Sequence, residues 1–384
     1  MSHEHSLDLV LIKAVKNNDQ ESLAFLSDDK NIYTLDDRNQ SLLFYAIRNR
    51  AYKSAHFLLK AKLDSNQANK HLETPLHIAA YLGDEKMASL LIEHGANVNA
   101  QNKKKQTPLM LAALKGAKHV VQLLLDHSAA INITDELGNS ALFYAIKSKK
   151  LKLLKRLAEH GGNLFLINDK NQSLLHYTAK HGLPLMMEYL IDKQLPPFIK
   201  NIYKQTPLHE ACKHGNQDMV DILLNHGLSS YDKDHFSRTP YQIAEEAEYH
   251  LILVQFTRHK NHPEVIKNHK QYPLHYALRF QLMDQAMALI QEKHSLKALD
   301  NYHNTPLFYA MMLEDLWLVE KMLQAGAKQF PINNTDHPAL FYAIMLKNEA
   351  MIDLLLKYQG DKTLTDDVYQ LLEQAPESIQ KICK

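Results

Sequence analysis

A chain of 384 residues, 45% of them hydrophobic and 23% charged, has ample apolar surface to bury, which excludes a disordered polypeptide. Its 44 Lys and Arg balance 43 Asp and Glu, and the formal charge of +1 excludes a general attraction to nucleic acid or acidic membrane. Cys212 and Cys383 are the only cysteines, which excludes a disulfide framework and suits a reducing, cytoplasmic compartment.

The N-terminal stretch Met1 to Leu11 is His-rich and acidic, and no run approaches the roughly 18 apolar residues of a membrane span. Neither a classical export signal nor membrane insertion is expected. Residues 1–40 read as an imperfect first unit and N-terminal cap, in which Ala14 to Asp19 echoes, out of phase, a spacing found throughout the chain. From there Ser41, Thr74, Thr107, Ser140, Ser173, Thr206, Thr239, Tyr272, Thr305 and Pro338 follow one another at 33-residue intervals without a slip. So strict a period means a repeat array over residues 41–361, and it overrides the several domains that the length alone suggests.

Within a unit the apolar spacing is helical. A Thr or Ser precedes a Pro that a first helical turn tolerates, because its missing N–H would be unpaired there anyway. In the unit from Thr107, Leu109 to Leu114 predicts a first helix, Gly116 a turn, and Val120 to Leu125 a second helix. Ala130 to Asn139 predicts an extended, projecting hairpin that carries the chain to the next unit. No such unit buries its apolar faces alone, so stacking must create a continuous core. After Gly360 the pattern ends, and residues 362–384 read as a C-terminal helical cap or tail of two short helices parted at Pro376.

The segments Thr74-Pro75-Leu76-His77-Ile78-Ala79-Ala80 and Gly95-Ala96-Asn97-Val98-Asn99-Ala100 resemble the signatures of ankyrin repeats, and weaker copies begin at Thr107, Thr206, Tyr272 and Thr305. The resemblance covers about residues 9 to 370 and implies an all-α solenoid of helix-turn-helix units with projecting β-hairpin-like loops. It also implies that His77, His176, His209 and His275 hydrogen-bond within and between units. The unit 239–271 departs from the pattern, with Glu248 at the turn glycine and Pro263 in the hairpin approach, and predicts a local irregularity able to bend the array.

Catalytic chemistry finds little support. There is no Gly-rich phosphate loop and no Gly-x-Ser-x-Gly, and His209 and His214 are spaced five apart rather than four, so they do not share a helix face as zinc ligands. His250, His259, His262 and His269 fall in the irregular unit at spacings that match no standard metal site. No cofactor or metal is expected. A metal-binding or catalytic role of the unit 239–271 or of the tail stands as the alternative.

Ankyrin repeats bind partners on the hairpin tips and the exposed ends of the first helices, and here that row is uneven. Tyr81, Leu82 and Leu114 make an apolar patch; Lys147, Lys180, His181, Lys213 and His214 make a basic middle; Phe280, Met312, Leu313, Met345 and Leu346 make an apolar C-terminal third. At the tips, Lys103, Lys104 and Lys105 form the most basic loop, and Tyr203, Phe236 and Tyr302 add aromatics. Asx residues such as Asp36, Asn69, Asn102, Asp135, Asn168, Asn201, Asp234 and Asp300 anchor the turns, while the glycine expected near the tip survives clearly only as Gly138. The expectation is a monomeric, non-enzymatic scaffold for a protein partner. Its Lys- and Asn-rich repeats also resemble those of effectors that host-associated bacteria deliver into host cells, which implies a host protein as partner. A nucleic-acid binder using the basic middle is a further alternative.

Overall fold

The computed structural model describes residues 9–27, 31–260, 270–280, 282–292, 296–330, 332–333, 337–358 and 364–383. Every regular element among them beyond one isolated bridge is helical, and the helices fall into two compact units, residues 1–164 and 165–384.

Unit 1 contains α1 (Leu9–Lys16), α2 (Gln20–Leu26), α3 (Leu42–Arg48), α4 (Tyr52–Lys60), α5 (Pro75–Leu82), α6 (Glu85–Glu93), α7 (Pro108–Lys115), α8 (Lys118–Asp126), α9 (Ala141–Lys147) and α10 (Leu151–Glu159). Helices this short are marginal in water by themselves. They persist because α1, α3, α5, α7 and α9 stack in sequence order, each also packed on its own second helix, and bury Leu43, Leu76, Ala79, Leu109, Ala112 and Leu142.

The Thr-Pro-Leu-His motif explains how each first helix starts. The Thr74 N–H donates to His77 Nδ1 (3.1 Å), and His77 Nε2 meets the carbonyl of Gln106 in the next repeat (2.9 Å). Because that carbonyl only accepts, Nε2 carries the proton. One imidazole thus closes a helix N-terminus and ties neighbouring units together. His176 does the same from Ser173 towards Gln205 (3.0 Å); His275 makes only the link onward, to Ala298 (2.9 Å), and His209 only the cap, accepting from the Thr206 N–H (3.1 Å), its buried Nε2 having no hydrogen-bond partner. Burial lowers all four from the ordinary histidine value, His176 and His209 to about 4, so these rings are neutral near pH 7.

Unit 2 begins in the same way, with α11 (Leu174–His181), α12 (Pro184–Asp192), α13 (Pro207–Lys213), α14 (Gln217–Asn225), α15 (Pro240–Glu246) and α16 (His250–Lys260). Helices α15 and α16 belong to the irregular repeat yet still stack on α13 and α14, and Glu248 adopts φ 56°, the left-handed conformation the missing glycine would have taken. The remaining elements are α17 (Pro273–Arg279), α18 (Met283–Gln291), α19 (Pro306–Met312), α20 (Leu316–Gln324), α21 (Ala339–Met345), α22 (Glu349–Tyr358), α23 (Asp366–Gln374) and α24 (Glu377–Ile382). The last two pack on α21 and α22, and His337 lies 3.3 Å from Asp367.

The repeats from Pro273 onward run back along the earlier repeats of unit 2. Phe165 meets Phe341 edge to face at 4.9 Å, Phe198 meets Phe308 and Tyr309 at 5.8 and 5.4 Å, and Tyr231 lies 5.9 Å from Phe280. Early positions therefore pair with late ones in antiparallel order, and the C-terminal first helices lie on the hairpin bases of the earlier repeats. Arg279 seals the narrow end: Nη2 donates to the Leu228 carbonyl at 3.1 Å, and its guanidinium covers the rings of Tyr302 and Phe280. Gly227 is required here, since a Cβ at that position would stand 3.0 Å from the Tyr302 ring. The irregular unit thus precedes a reversal of the array, a larger departure than the bend its sequence predicts.

Candidate protein-binding surface

Each hairpin is built on its Asx residue. In the tip after α6, Asn102 Oδ1 accepts from the N–H groups of Lys104 and Gln106 (both 2.9 Å), and the same pair of bonds recurs at Asp36, Asn69, Asp135, Asn168, Asn201, Asp234 and Asp300. Neighbouring tips are joined edge to edge. In unit 1 the N–H of Lys70 donates to Arg38 O, that of Lys103 to His71 O and that of Glu136 to Lys104 O, at 2.9–3.0 Å. In unit 2 Ile202 donates to Lys170 O and His235 to Tyr203 O. The tips form a continuous ribbon within each unit, with little freedom to lose on binding.

Unit 1 leaves its predicted residues accessible. Tyr81 is 43% exposed with Lys115 Nζ 4.1 Å from its ring centroid, and Leu82 and Leu114 beside it are half-buried. Lys103, Lys104 and Lys105 are exposed. First helices and tips are tied together, because the Tyr144 hydroxyl in the middle of α9 donates to the hairpin carboxylate of Asp135 (2.7 Å) and accepts from Gln106 of the preceding repeat (2.7 Å).

In unit 2 the outcome is divided. Lys180, Lys213 and His214 are exposed and His181 is half-buried. Tyr203 and Phe236 are exposed tips on hydrogen-bonded neighbours, and Ile202, which the sequence reading passed over, is 48% exposed beside them. The apolar C-terminal third is corrected. Met312, Met345 and Leu346 are buried, Leu313 is half-buried, Phe280 is enclosed by Tyr231, Tyr276 and Arg279, and Tyr302 lies beneath Arg279. An exposed position in an array that runs straight becomes an interior one when the array doubles back. The reversal also leaves a cleft of about 480 Å³ between Gln194, Pro197 and His226 on one side and Tyr302, Asn304 and Asn333 on the other.

The other sequence candidates carry structural roles. Cys212 is fully buried with its thiol pushed far up by desolvation, and His214 bonds to the Glu210 carbonyl at 2.9 Å while His209 faces Thr206. Of the four histidines near the irregular unit, His262 and His269 lie outside the described residues. Among the described residues no three His, Cys, Asp or Glu are placed to hold a metal ion, and no helix is long and apolar enough to cross a membrane.

The family profile described as ankyrin repeats matches three overlapping segments, residues 11–102, 95–169 and 160–235. The chain belongs to the ankyrin-repeat family. Repeats of this family are generally protein–protein interaction modules, and the fold is typically a non-enzymatic scaffold. Among solved structures, the crystal structure of the ankyrin repeat domain of Bcl-3, described as a unique member of the IkappaB protein family, is similar at a TM-score of 0.50 and 23% identity. That likeness covers 57% of this chain and 99% of the Bcl-3 domain, and it bears on the fold alone. No curated protein matches the sequence. The match to this ankyrin-repeat profile ends at residue 235, before the irregular repeat and the returning repeats of unit 2.

Proposed function

We propose that this protein is a non-enzymatic scaffold, monomeric and cytosolic, that holds a protein partner on its first-helix ends and hairpin tips. In this reading Tyr81, Leu82, Leu114 and the Lys103–Lys105 tip serve in unit 1; Lys180, His181, Lys213, His214, Tyr203 and Phe236 serve in unit 2. Residues 1–40 and 362–384 cap the array. The partner is a host protein met after delivery into a host cell, a step supported by the resemblance to bacterial effectors.

The observation that carries the proposal is the backbone of the tips. Asn39, Leu72, Lys105, Asn171, Lys204, Ser237 and His303 all hold φ between 53° and 61°, where glycine sits without strain and a side chain costs about 1 kcal/mol. Helix-end turns such as those at Arg50, Lys149 and Glu248 also hold side chains at such φ, so what bears on contact is how far the tip side chains face solvent. Leu72, Lys105, Lys204, Ser237 and His303 are exposed at these tips, whereas Asn39 and Asn171 are half-buried, so five of the seven tips present a side chain that a partner can touch.

Partner capture by crosslinking tests this. Tyr81→Asp and Phe236→Asp are expected to abolish capture with helicity unchanged by circular dichroism, while Trp317→Asp on the exposed face of α20 leaves it intact. Capture of the same partner by all three variants rules this face out.

A further inference from the structure

The tips of unit 1 are not merely diverse; they are basic in a fixed order. Arg38, Lys70, Lys103, Lys104 and Lys105 are all exposed along the hydrogen-bonded ribbon, and the exposed acids on it are Asp37 and, at its far end, Glu136. Glu73 is half-buried and accepts from Asn69 Nδ2 at 2.8 Å, so it is engaged within its own hairpin. Among the described residues, Lys70, Lys103, Lys104 and Lys105 have no carboxylate within ion-pair distance. The first helices extend the same sign onto the adjoining surface. Lys16 lies over Tyr45, Arg48 over Phe44 and Lys115 over Tyr81, each cation held against an aromatic face.

We infer that the ribbon formed by the tips at Arg38, Lys70–His71 and Lys103–Lys105 docks an extended, carboxylate-rich segment of a partner protein. This rests on the scaffold reading above and names its partner class. Packed helices stand about 8–10 Å apart, which sets the step from tip to tip, and a segment in the extended polyproline II conformation has three residues per turn and advances about 3.1 Å per residue, so every third side chain returns to the same face. An acidic residue at every third position of the segment therefore meets one tip after another. The Glu136 tip repels further acid and ends the run after three tips. Such a segment gains from cations that are already aligned, and its binding weakens with salt because the charges are solvent-exposed.

The test uses the full chain and two fluorescein-labelled peptides of about ten residues, equal in composition, read by anisotropy. One carries Glu at every third position, the other carries its Glu residues in a single block. The spaced peptide is expected to bind the native protein several-fold more tightly than the blocked one, and to weaken at least about tenfold between roughly 50 and 300 mM salt. Lys103→Glu with Lys105→Glu should reduce its affinity by at least about tenfold. Lys60→Glu with Lys118→Glu, on second helices, should leave it unchanged. No binding of the spaced peptide at low salt, equal binding by both charge-reversed pairs, or equal affinity for the two peptides overturns the inference. Stronger binding of a single-stranded RNA that displaces the peptide overturns it in favour of nucleic acid. If the peptides fail while Tyr81→Asp still abolishes partner capture, the acidic class is wrong and the scaffold reading stands.

Discussion

Position 132 in unit 1 is an asparagine that bonds to the neighbouring turn, and position 198 in unit 2, two periods later, is a phenylalanine wedged against Phe308 and Tyr309. The contrast holds along the whole column. Asn66 donates to Gly95 O and accepts from Asn97 N, Asn99 accepts from Ala130 N, and Asn132 donates to Gly161 O and accepts from Asn163 N. One period on, the column turns to Phe165, Phe198 and Tyr231, and each of these rings meets a ring of the returning repeats. The same site of the repeat serves neighbour-to-neighbour stacking in one unit and array-on-array packing in the other. Charge divides likewise: unit 1 has 22 Lys and Arg against 17 Asp and Glu, and unit 2 has 22 against 26. The near-neutral total conceals a basic unit and an acidic one.

Exchanging the column residues tests this contrast most severely. Phe198→Asn removes a buried ring and leaves an amide in its slot, with an expected loss of about 3–5 kcal/mol by denaturant unfolding. The reciprocal Asn132→Phe forfeits two hydrogen bonds and should cost about 1–2 kcal/mol. If Phe198→Asn costs less than Asn132→Phe, the ring contacts are not what holds the returning repeats.

Acid should separate the units next. Unfolded histidine takes up a proton near 6.5, whereas His176 and His209 in unit 2 resist until about 4. Their contribution is complete above pH 6.5 and drains away as pH falls towards 4, at up to about 1.4 kcal/mol per pH unit for each ring. Unit 1 has one buried motif histidine, His77, against His176, His209 and His275 in unit 2. Hydrogen exchange at pH 7 and pH 5.5 is therefore expected to show a larger loss of protection in unit 2, and equal losses in both units contradict the assignment.

The smallest effect concerns the tips. Leu72 is half-exposed at φ 57°, and Leu72→Gly should raise stability by up to about 1 kcal/mol, read as a shift in urea midpoint. An unchanged or lowered midpoint means that the tip backbone is not under strain.

Much of this architecture is legible in the sequence, because its physics is local. The helix starts at Thr-Pro, the bridging role of His77 and the Asx-anchored turns depend on residues within a repeat or in the next one. The array reversal depends on contacts between Phe165 and Phe341 or Phe198 and Phe308, which share no period and lie far apart in the chain. Half of its signal was present: the column Asn66, Asn99, Asn132, Phe165, Phe198, Tyr231 changes character abruptly. Without knowing what those rings meet, Met312 and Met345 read as groove residues rather than interior ones. The basic ribbon was half legible as well, since Lys103–Lys105 stands out as a run whereas Arg38 and Lys70 join it only through the tip-to-tip hydrogen bonds.

The antiparallel ring pairs also set a schedule for synthesis. Unit 1 gains its contacts from the preceding repeat, so it can acquire structure progressively as the chain leaves the ribosome. Phe198 emerges long before Phe308, and at typical elongation rates the delay is on the order of ten seconds. During that interval the rings at 165, 198 and 231 are apolar surface without a cover. Unit 2 is thus the part of the nascent chain for which a chaperone has work to do, and a premature stop before Phe308 would leave that need permanent.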